Sequence, residues 1–162
     1  MHFRYQCSTQ DYLWKWHPTF EVRFYEENIR SYTKLIPALK DFPNDIIVTI
    51  DDDVMYGRNM LQKLLKVHKK HPETIIGHRV RHLKLDAPYC EWKRYKEHRY
   101  ITKSMKPRFT NLQTGVGGVL YPPNALQVSM LDSGLFMKMA PNIWGSVLRR
   151  KHPFIHQAHP CP

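Results

Sequence analysis

The clearest hydrophobic pattern in the chain is a continuous, mostly β-branched run, Ile46–Ile50, which ends abruptly in three aspartates. A run without polar alternation is typical of a strand buried on both faces, as in the interior of a parallel sheet. Apolar residues at helical spacing predict an amphipathic helix from Asn59 to Lys70. Another helix is predicted from Ser31 to Leu39, kinked or shortened at Pro37.

The second half of the chain continues the alternation of strands and helices. One or two strands are predicted between Thr74 and Leu85, and a short strand at Val119–Tyr121 follows a glycine-rich segment. A helix is predicted near Asn124–Met130, after two prolines. This order of elements predicts an α/β fold with layers of helices on a mostly parallel sheet, in which Ile46–Ile50 is an interior strand.

The aspartates that end the Ile46–Ile50 run, Asp51 to Asp53, are the strongest candidate for a chemical site. Adjacent carboxylates repel one another unless a cation or several donors compensate them. A divalent ion with a preference for oxygen meets that need, and open α/β sheets bind ligands at the carboxyl ends of their strands. Asp51 and Asp53 project similarly in an extended chain, so both are predicted metal ligands.

Other interpretations of the acidic segment need no such metal site. Its aspartates would also fit an exposed turn that caps the next helix. A calcium-binding EF-hand loop is excluded, because Tyr56 stands where that loop requires glycine. A haloacid-dehalogenase-like phosphatase also has a strand that ends in Asp-x-Asp, but Met55 does not fit its usual continuation, and it is kept as a weaker alternative.

Three glycines, Gly115, Gly117 and Gly118, precede the predicted strand at Val119. Glycine lets the backbone approach a ligand closely and adopt conformations that other residues avoid. The segment is therefore interpreted as a loop at which the backbone can contact a ligand. A simple turn before a strand explains the glycines nearly as well.

Composition narrows the class of protein. The 162 residues, 42% of them hydrophobic, suit one domain with one core. No apolar run approaches the roughly 18–20 residues of a membrane-spanning helix, and the first residues lack the pattern of a signal peptide. Three widely spaced cysteines, Cys7, Cys90 and Cys161, argue against a disulfide framework, so the cytoplasm is the expected compartment.

The net charge of +11 is concentrated in one segment. Between His78 and Arg108 there are ten Lys or Arg residues and three acidic residues, a net +7. Such a segment fits an anionic partner, and an alternative function is a basic-aromatic module that binds nucleic acid or an anionic surface. Its aromatic residues would be Tyr89, Trp92, Tyr95 and Tyr100. No specific nucleic acid is expected, because no recognised motif is present and Glu91 and Glu97 interrupt the patch.

Three segments occur in an order that resembles bacterial GT-A glycosyltransferases of the surface-polysaccharide type. They are Ile29–Leu39, Ile46–Val54 with Tyr56, and Thr114–Pro123. The resemblance implies a partial GT-A domain, the fold of nucleotide-diphospho-sugar transferases, at 21–141. It leaves a divergent segment at 1–20 and an irregular tail at 142–162.

The resemblance also implies an activity. A sugar would pass from a nucleotide-sugar donor to a saccharide or lipid-linked acceptor in polysaccharide synthesis, with Mn²⁺ or Mg²⁺ bridging the donor diphosphate. Asp53 is the first choice of metal ligand, and Asp51 would share the metal or contact the ribose. Lys34 and Asp52 would also contact the donor. A basic flank suits an enzyme at the inner face of the membrane.

Both ends of the chain depart from the family pattern. The family pattern places a first nucleotide-binding strand in the sequence before Glu21. Little sequence precedes that residue here. The acidic pair that would supply a catalytic base after Pro141 is replaced by Asn142–Trp144, and Asp132, a weak candidate base, is the last acid in the sequence. The expectation is therefore a truncated glycosyltransferase copy that turns over its donor poorly.

Overall fold

A computed structural model describes residues 23–82, 106–126, 131–139 and 154–156. The predictions for the divergent N-terminal segment and for the basic and aromatic residues between 83 and 105 lie outside these ranges, and so does the substituted acidic pair after Pro141. The tail at 142–162 was expected to be irregular. Its three described residues, Phe154–His156, instead form a strand.

The helices in the described residues are short, and those before residue 70 lie where apolar spacing predicts them. A 3-10 helix at Arg30–Lys34 leads into α1 at Ile36–Asp41, and α2 and α3 span Met60–His68 and Ser133–Met139. Pro37 lies in the first turn of α1, where its missing N–H breaks no helical hydrogen bond. The predicted break near Pro37 is thus confirmed. In the described part of the chain, no helix combines the length and apolarity needed to cross a bilayer.

In the described ranges, six short strands form two sheets. In chain order they are β1 Ile47–Thr49, β2 Ile75–Gly77, β3 Val80–His82, β4 Asn111–Gln113, β5 Val119–Tyr121 and β6 Phe154–His156. The larger sheet has the order β1-β5-β2-β6, and β3 pairs with β4 in an antiparallel ribbon. In the larger sheet β5 is antiparallel to both β1 and β2, whereas β6 is parallel to β2.

The chain is therefore mixed α/β, as predicted, but a mostly parallel sheet is not confirmed. β1 and β2 run in the same direction, yet β5 lies between them, so both of their shared ladders are antiparallel. Within the described residues β1 lies at the edge of its sheet, so the prediction of an interior strand at Ile46–Ile50 is not confirmed either. Ile47 and Val48 are only half-buried. A β-branched run alone does not distinguish a central strand from an edge strand.

The central strands β2 and β5 are buried on both faces. Ile75, Val119 and Tyr121 belong to one apolar cluster, whereas Ile76 and Leu120 belong to another. Successive strand residues point to opposite faces, so the two clusters lie on the two sides of the sheet. Helical side chains complete each cluster: Ile29, Tyr32, Leu35, Ile36, Leu39 and Phe136 on one side, Met60 and Leu64 on the other. Helices thus cover both faces of the sheet.

The segment after β5 begins differently from its prediction. A helix was expected near Asn124–Met130, but Asn124 has a φ of +55°, and the Ala125 N–H donates to the Pro122 carbonyl at 3.2 Å. These features define a turn, and asparagine tolerates the left-handed region better than most residues do. The prediction is wrong for its first three residues, and residues 127–130 are not described.

The packing of α3 on the 3-10 helix predicts a local sensitivity. Phe136 is 1% exposed, and its ring centroid lies 4.3 Å from that of Tyr32. We expect Phe136→Ala to lower the free energy of unfolding by about 3–5 kcal/mol, because it removes a buried ring and leaves a cavity. Leu135→Ala is the matched control, since Leu135 is 38% exposed on the same helix. Urea denaturation followed by circular dichroism measures both, and equal losses would contradict this packing.

Candidate functional site

The antiparallel placement of β5 brings three chain segments to one edge of the sheet. Val119, the first residue of β5, is in register with Thr49 at the end of β1 and with Gly77 at the end of β2. The acidic segment that follows β1, the glycine segment that precedes β5 and the residues after β2 therefore meet there. We call this the acidic edge: residues 51–53, 56, 78–79 and 114–118, together with Lys34, whose ammonium group contacts Asp51.

Asp51 is the most constrained carboxylate at the acidic edge. Its Oδ1 accepts a hydrogen bond from the Lys34 ammonium group, and its backbone N–H donates to the Tyr56 hydroxyl at 2.8 Å. Its Oδ2 is buried and has no hydrogen-bond partner among the described residues. The Asp51 side chain is 14% exposed, compared with 37% for Lys34. One oxygen of Asp51 is therefore compensated, and the other is an unused acceptor.

Tyr56 closes the acidic segment into a compact loop. Its hydroxyl accepts the Asp51 N–H, and its ring packs against the apolar cluster that contains Met60 and Leu64. Burial raises the pKa of the Tyr56 hydroxyl; the Asp51 and Asp53 carboxylates raise it further, while the hydrogen bond from the Asp51 backbone lowers it. The phenol thus stays neutral near pH 7 and anchors the loop.

Asp52 and Asp53 are exposed, so the three aspartates have different environments. In the described ranges no group of three or more His, Cys, Asp or Glu side chains is placed to hold a metal ion. A closed cage made of protein ligands alone is therefore not formed there. Mg²⁺ commonly keeps several waters and binds through one or two carboxylates plus substrate phosphates. Asp51 Oδ2 and the solvent-facing Asp53 carboxylate fit that kind of site for Mg²⁺ or Mn²⁺.

The glycine segment has the backbone conformation that its composition predicts. Gly115, Gly117 and Gly118 have φ values of +82°, +91° and +91°, which favour glycine. Gly118 also lies close to the loop after β1. A Cβ there would be 3.1 Å from Met60 Sδ and 3.8 Å from Tyr56 Cε1. The glycine segment therefore packs beside the residue that closes the acidic loop.

Hydrogen bonds fasten the glycine segment on both sides. The Thr114 N–H donates to the Arg79 carbonyl at 3.2 Å, and the His78 N–H donates to the Gly118 carbonyl at 3.3 Å. The buried Gln113 side chain accepts the Gly115 N–H and donates to the Tyr121 hydroxyl at 3.1 Å. The segment is thus held against β2 and β5 rather than left as an open turn.

The structure brings together most, but not all, of the residues predicted from the sequence. Lys34 contacts Asp51, and the glycines lie at the same edge as the aspartates. Asp132, the weak candidate for a catalytic base, is exposed, and its Oδ1 accepts the Gly134 N–H at 2.9 Å in the first turn of α3. Asp132 therefore caps the start of α3.

Two residues of the site were not assigned a role from the sequence. Tyr56 is a loop residue whose hydroxyl reaches back to Asp51, and no local pattern signals that contact. Gln113 is buried and braces the glycine segment. A weak signal for it was available, because Asn111 and Gln113 alternate along a strand and both are buried polar residues that need partners.

Comparisons with known proteins show no relative: no family model, no curated protein and no solved structure matches the chain. The likeness to GT-A glycosyltransferases therefore rests on the three sequence segments that carry it. Function has to be argued from those segments and from the geometry of the acidic edge.

The contact between Asp51 and Tyr56 generates a prediction. Tyr56→Phe keeps the packed ring but leaves the part-buried Asp51 N–H without its acceptor, so the free energy of unfolding should fall by about 1–2 kcal/mol. Amide hydrogen exchange should accelerate more at Asp51 than at Leu120, a core residue of β5 whose exchange reports the global loss of stability. Unchanged exchange at Asp51 would show that the hydroxyl does not anchor the loop.

Proposed function

We propose that this chain is a GT-A-like glycosyltransferase that binds a nucleotide-sugar donor at the acidic edge. The observation that carries the proposal is the unpartnered, buried Asp51 Oδ2 at the end of β1, beside the Lys34 ammonium and the fastened glycine segment. A metal-bound diphosphate requires a cation that compensates its negative charge, a carboxylate oxygen that can bind the metal, and backbone that it can approach closely.

The residues of the acidic edge divide into distinct tasks. Asp51 and Asp53 would hold the divalent ion, which when bound supplies Lewis-acid compensation of the charge on the departing nucleoside diphosphate. Asp52 is exposed and available to the donor, and Lys34 would donate to a diphosphate oxygen. Gly118 is buried against Met60 and Tyr56, whereas Gly115 and Gly117 are half-buried, and their lack of side chains would let the donor sugar or the acceptor approach the backbone there.

The acceptor in this proposal is a saccharide or a lipid-linked saccharide of surface-polysaccharide synthesis. The sequence supports that class through the family resemblance and through its strongly basic character, which suits work beside an anionic bilayer. The proposed location is therefore the cytoplasm or the inner face of the membrane.

Binding of metal and diphosphate tests the proposal directly. Calorimetry with Mn²⁺, alone and with uridine or guanosine diphosphate, should give dissociation constants of roughly micromolar to millimolar, as for sites with few carboxylates. Asp51→Asn and Asp53→Asn should each weaken metal–diphosphate binding by about tenfold or more, since each removes a charged ligand. Excess EDTA should abolish binding.

The matched control is Asp45→Asn. Asp45 is exposed in the turn before β1, at the opposite end of that strand, and the substitution removes the same charge. Its effect on the dissociation constants should stay within about twofold, because charges beyond a Debye length are largely screened. Well-folded protein that binds neither Mn²⁺ nor Mn²⁺ with a nucleoside diphosphate would show that the aspartates are structural.

A separate substitution tests the candidate base. Asp132→Asn keeps an oxygen that accepts the Gly134 N–H but removes the ability to take up a proton. Because Asp132 acts as a cap, we expect sugar transfer from a nucleotide-sugar, measured by release of the nucleoside diphosphate, to remain within about twofold of the unmodified protein. A loss of about 10²-fold or more at unchanged stability would identify Asp132 as the base instead.

A further inference from the structure

The ion pair between Lys34 and Asp51 joins two elements that are far apart in the sequence. Lys34 is the last residue of the 3-10 helix, and its neighbours Tyr32 and Leu35 are fully buried in the core. The backbone at Lys34 is therefore fixed, whereas its side chain is 37% exposed and reaches Asp51 Oδ1. A lysine on a four-carbon stem can change partner without any movement of the helix.

The same ion pair conflicts with a divalent ion on Asp51. An ammonium group on Oδ1 would lie within a few ångströms of an ion on Oδ2, and like charges at such a distance repel strongly in a partly buried site. Asp51 therefore has one cation partner at a time. The diphosphate that accompanies the ion offers the displaced ammonium new anionic oxygens close by.

We propose that Lys34 is an exchangeable counter-ion, which compensates Asp51 in the empty site and transfers to the diphosphate when the metal–diphosphate complex binds. The inference rests on the proposed function and adds to it a determinant of specificity. Lys34 opposes binding of the free ion and favours the ion that arrives with a diphosphate. The acidic edge thereby selects the complex over the free metal.

Substitution of Lys34 should change two affinities in opposite directions. Without the competing ammonium, Lys34→Met should bind Mn²⁺ alone roughly three- to fivefold more tightly, the scale expected for loss of a partly exposed ion pair. It should bind Mn²⁺ with uridine or guanosine diphosphate about tenfold or more weakly, because a charge-assisted hydrogen bond to phosphate is lost. Electron paramagnetic resonance of free Mn²⁺ and calorimetry measure the two constants.

Two controls isolate the exchange. Lys40→Met removes the same charge from an exposed position on α1, and it should leave both constants within about twofold of the unmodified values. Lys34→Met combined with Asp51→Asn should lose the gain in affinity for free Mn²⁺, because that gain requires the Asp51 carboxylate.

A measurement on the unmodified protein needs no substitution. Acetylation of lysine amines, quantified by mass spectrometry, reports how available each ammonium group is, with Lys40 as the internal reference. Mn²⁺ alone should raise the labelling of Lys34 about twofold or more, as the metal displaces it from Asp51. Mn²⁺ with the nucleoside diphosphate should lower the labelling below that of the metal-free protein.

The outcomes separate this inference from the proposed function. If the unmodified protein binds no Mn²⁺–diphosphate, the proposed function fails and the exchange fails with it. If it binds the complex but Lys34→Met changes both affinities in the same direction, or neither, the exchange is wrong while the proposed function stands. Labelling of Lys34 that does not respond to Mn²⁺ would also overturn the exchange.

Discussion

The insertion of β5 between β1 and β2 is the constraint on which the rest of this structure depends. Its two-sided burial needs helices on both faces, because Val119 and Tyr121 face one apolar cluster and Leu120 faces the other. Its direction decides what meets at the edge. An antiparallel strand places its own beginning beside the ends of its neighbours, so the glycines before β5 are brought to the aspartates after β1.

The three adjacent aspartates at this edge repel one another, and their negative charges are compensated in different ways. Asp51 is the most buried of them, and it has both the Lys34 ammonium and a loop closed on its backbone by Tyr56. Asp52 and Asp53 remain exposed, where water compensates their charge. Under the proposed exchange, a divalent ion takes the place of the Lys34 ammonium as the cation partner of Asp51, and the exposed carboxylates beside it would join that ion at little cost of desolvation.

The sequence predicted local features more reliably than the pairing of strands. The break near Pro37, the helix around Met60–His68 and the strand Val119–Tyr121 follow from apolar spacing and from proline chemistry, which act over a few residues. Strand order depends on contacts between distant segments. The Ile46–Ile50 run does not indicate that its hydrogen-bonded neighbour is an antiparallel strand some seventy residues away. The interior, mostly parallel arrangement is therefore the part that the described residues do not confirm.

The same distinction applies to the site. Aspartates at a strand end and glycines before a strand are local patterns, and both lie at the acidic edge. The glycines have the positive φ that their composition predicts. Asp52 and Asp53 instead lie in a turn, not in the extended chain from which their common direction was inferred. The Lys34–Asp51 pair spans 17 residues, and the hydrogen bond from Gln113 to Tyr121 spans eight within a buried environment. The family resemblance grouped Lys34 with the donor site, but the sequence contains no signal that its resting partner is Asp51.

The groups at the acidic edge also limit the chemistry that it can perform. Compensation of a departing diphosphate requires cations and donors, and the edge offers Lys34, two carboxylates suited to a divalent ion, and backbone approachable at the glycines. Deprotonation of an acceptor hydroxyl is a separate task that needs a positioned base. The carboxylates that would hold a metal are poor candidates for that task, since the cation would stabilise their charged form and lower their basicity. Asp132 is committed to the first turn of α3. For the proposed sugar transfer, the geometry of the described residues thus suits departure of the leaving group better than activation of the acceptor.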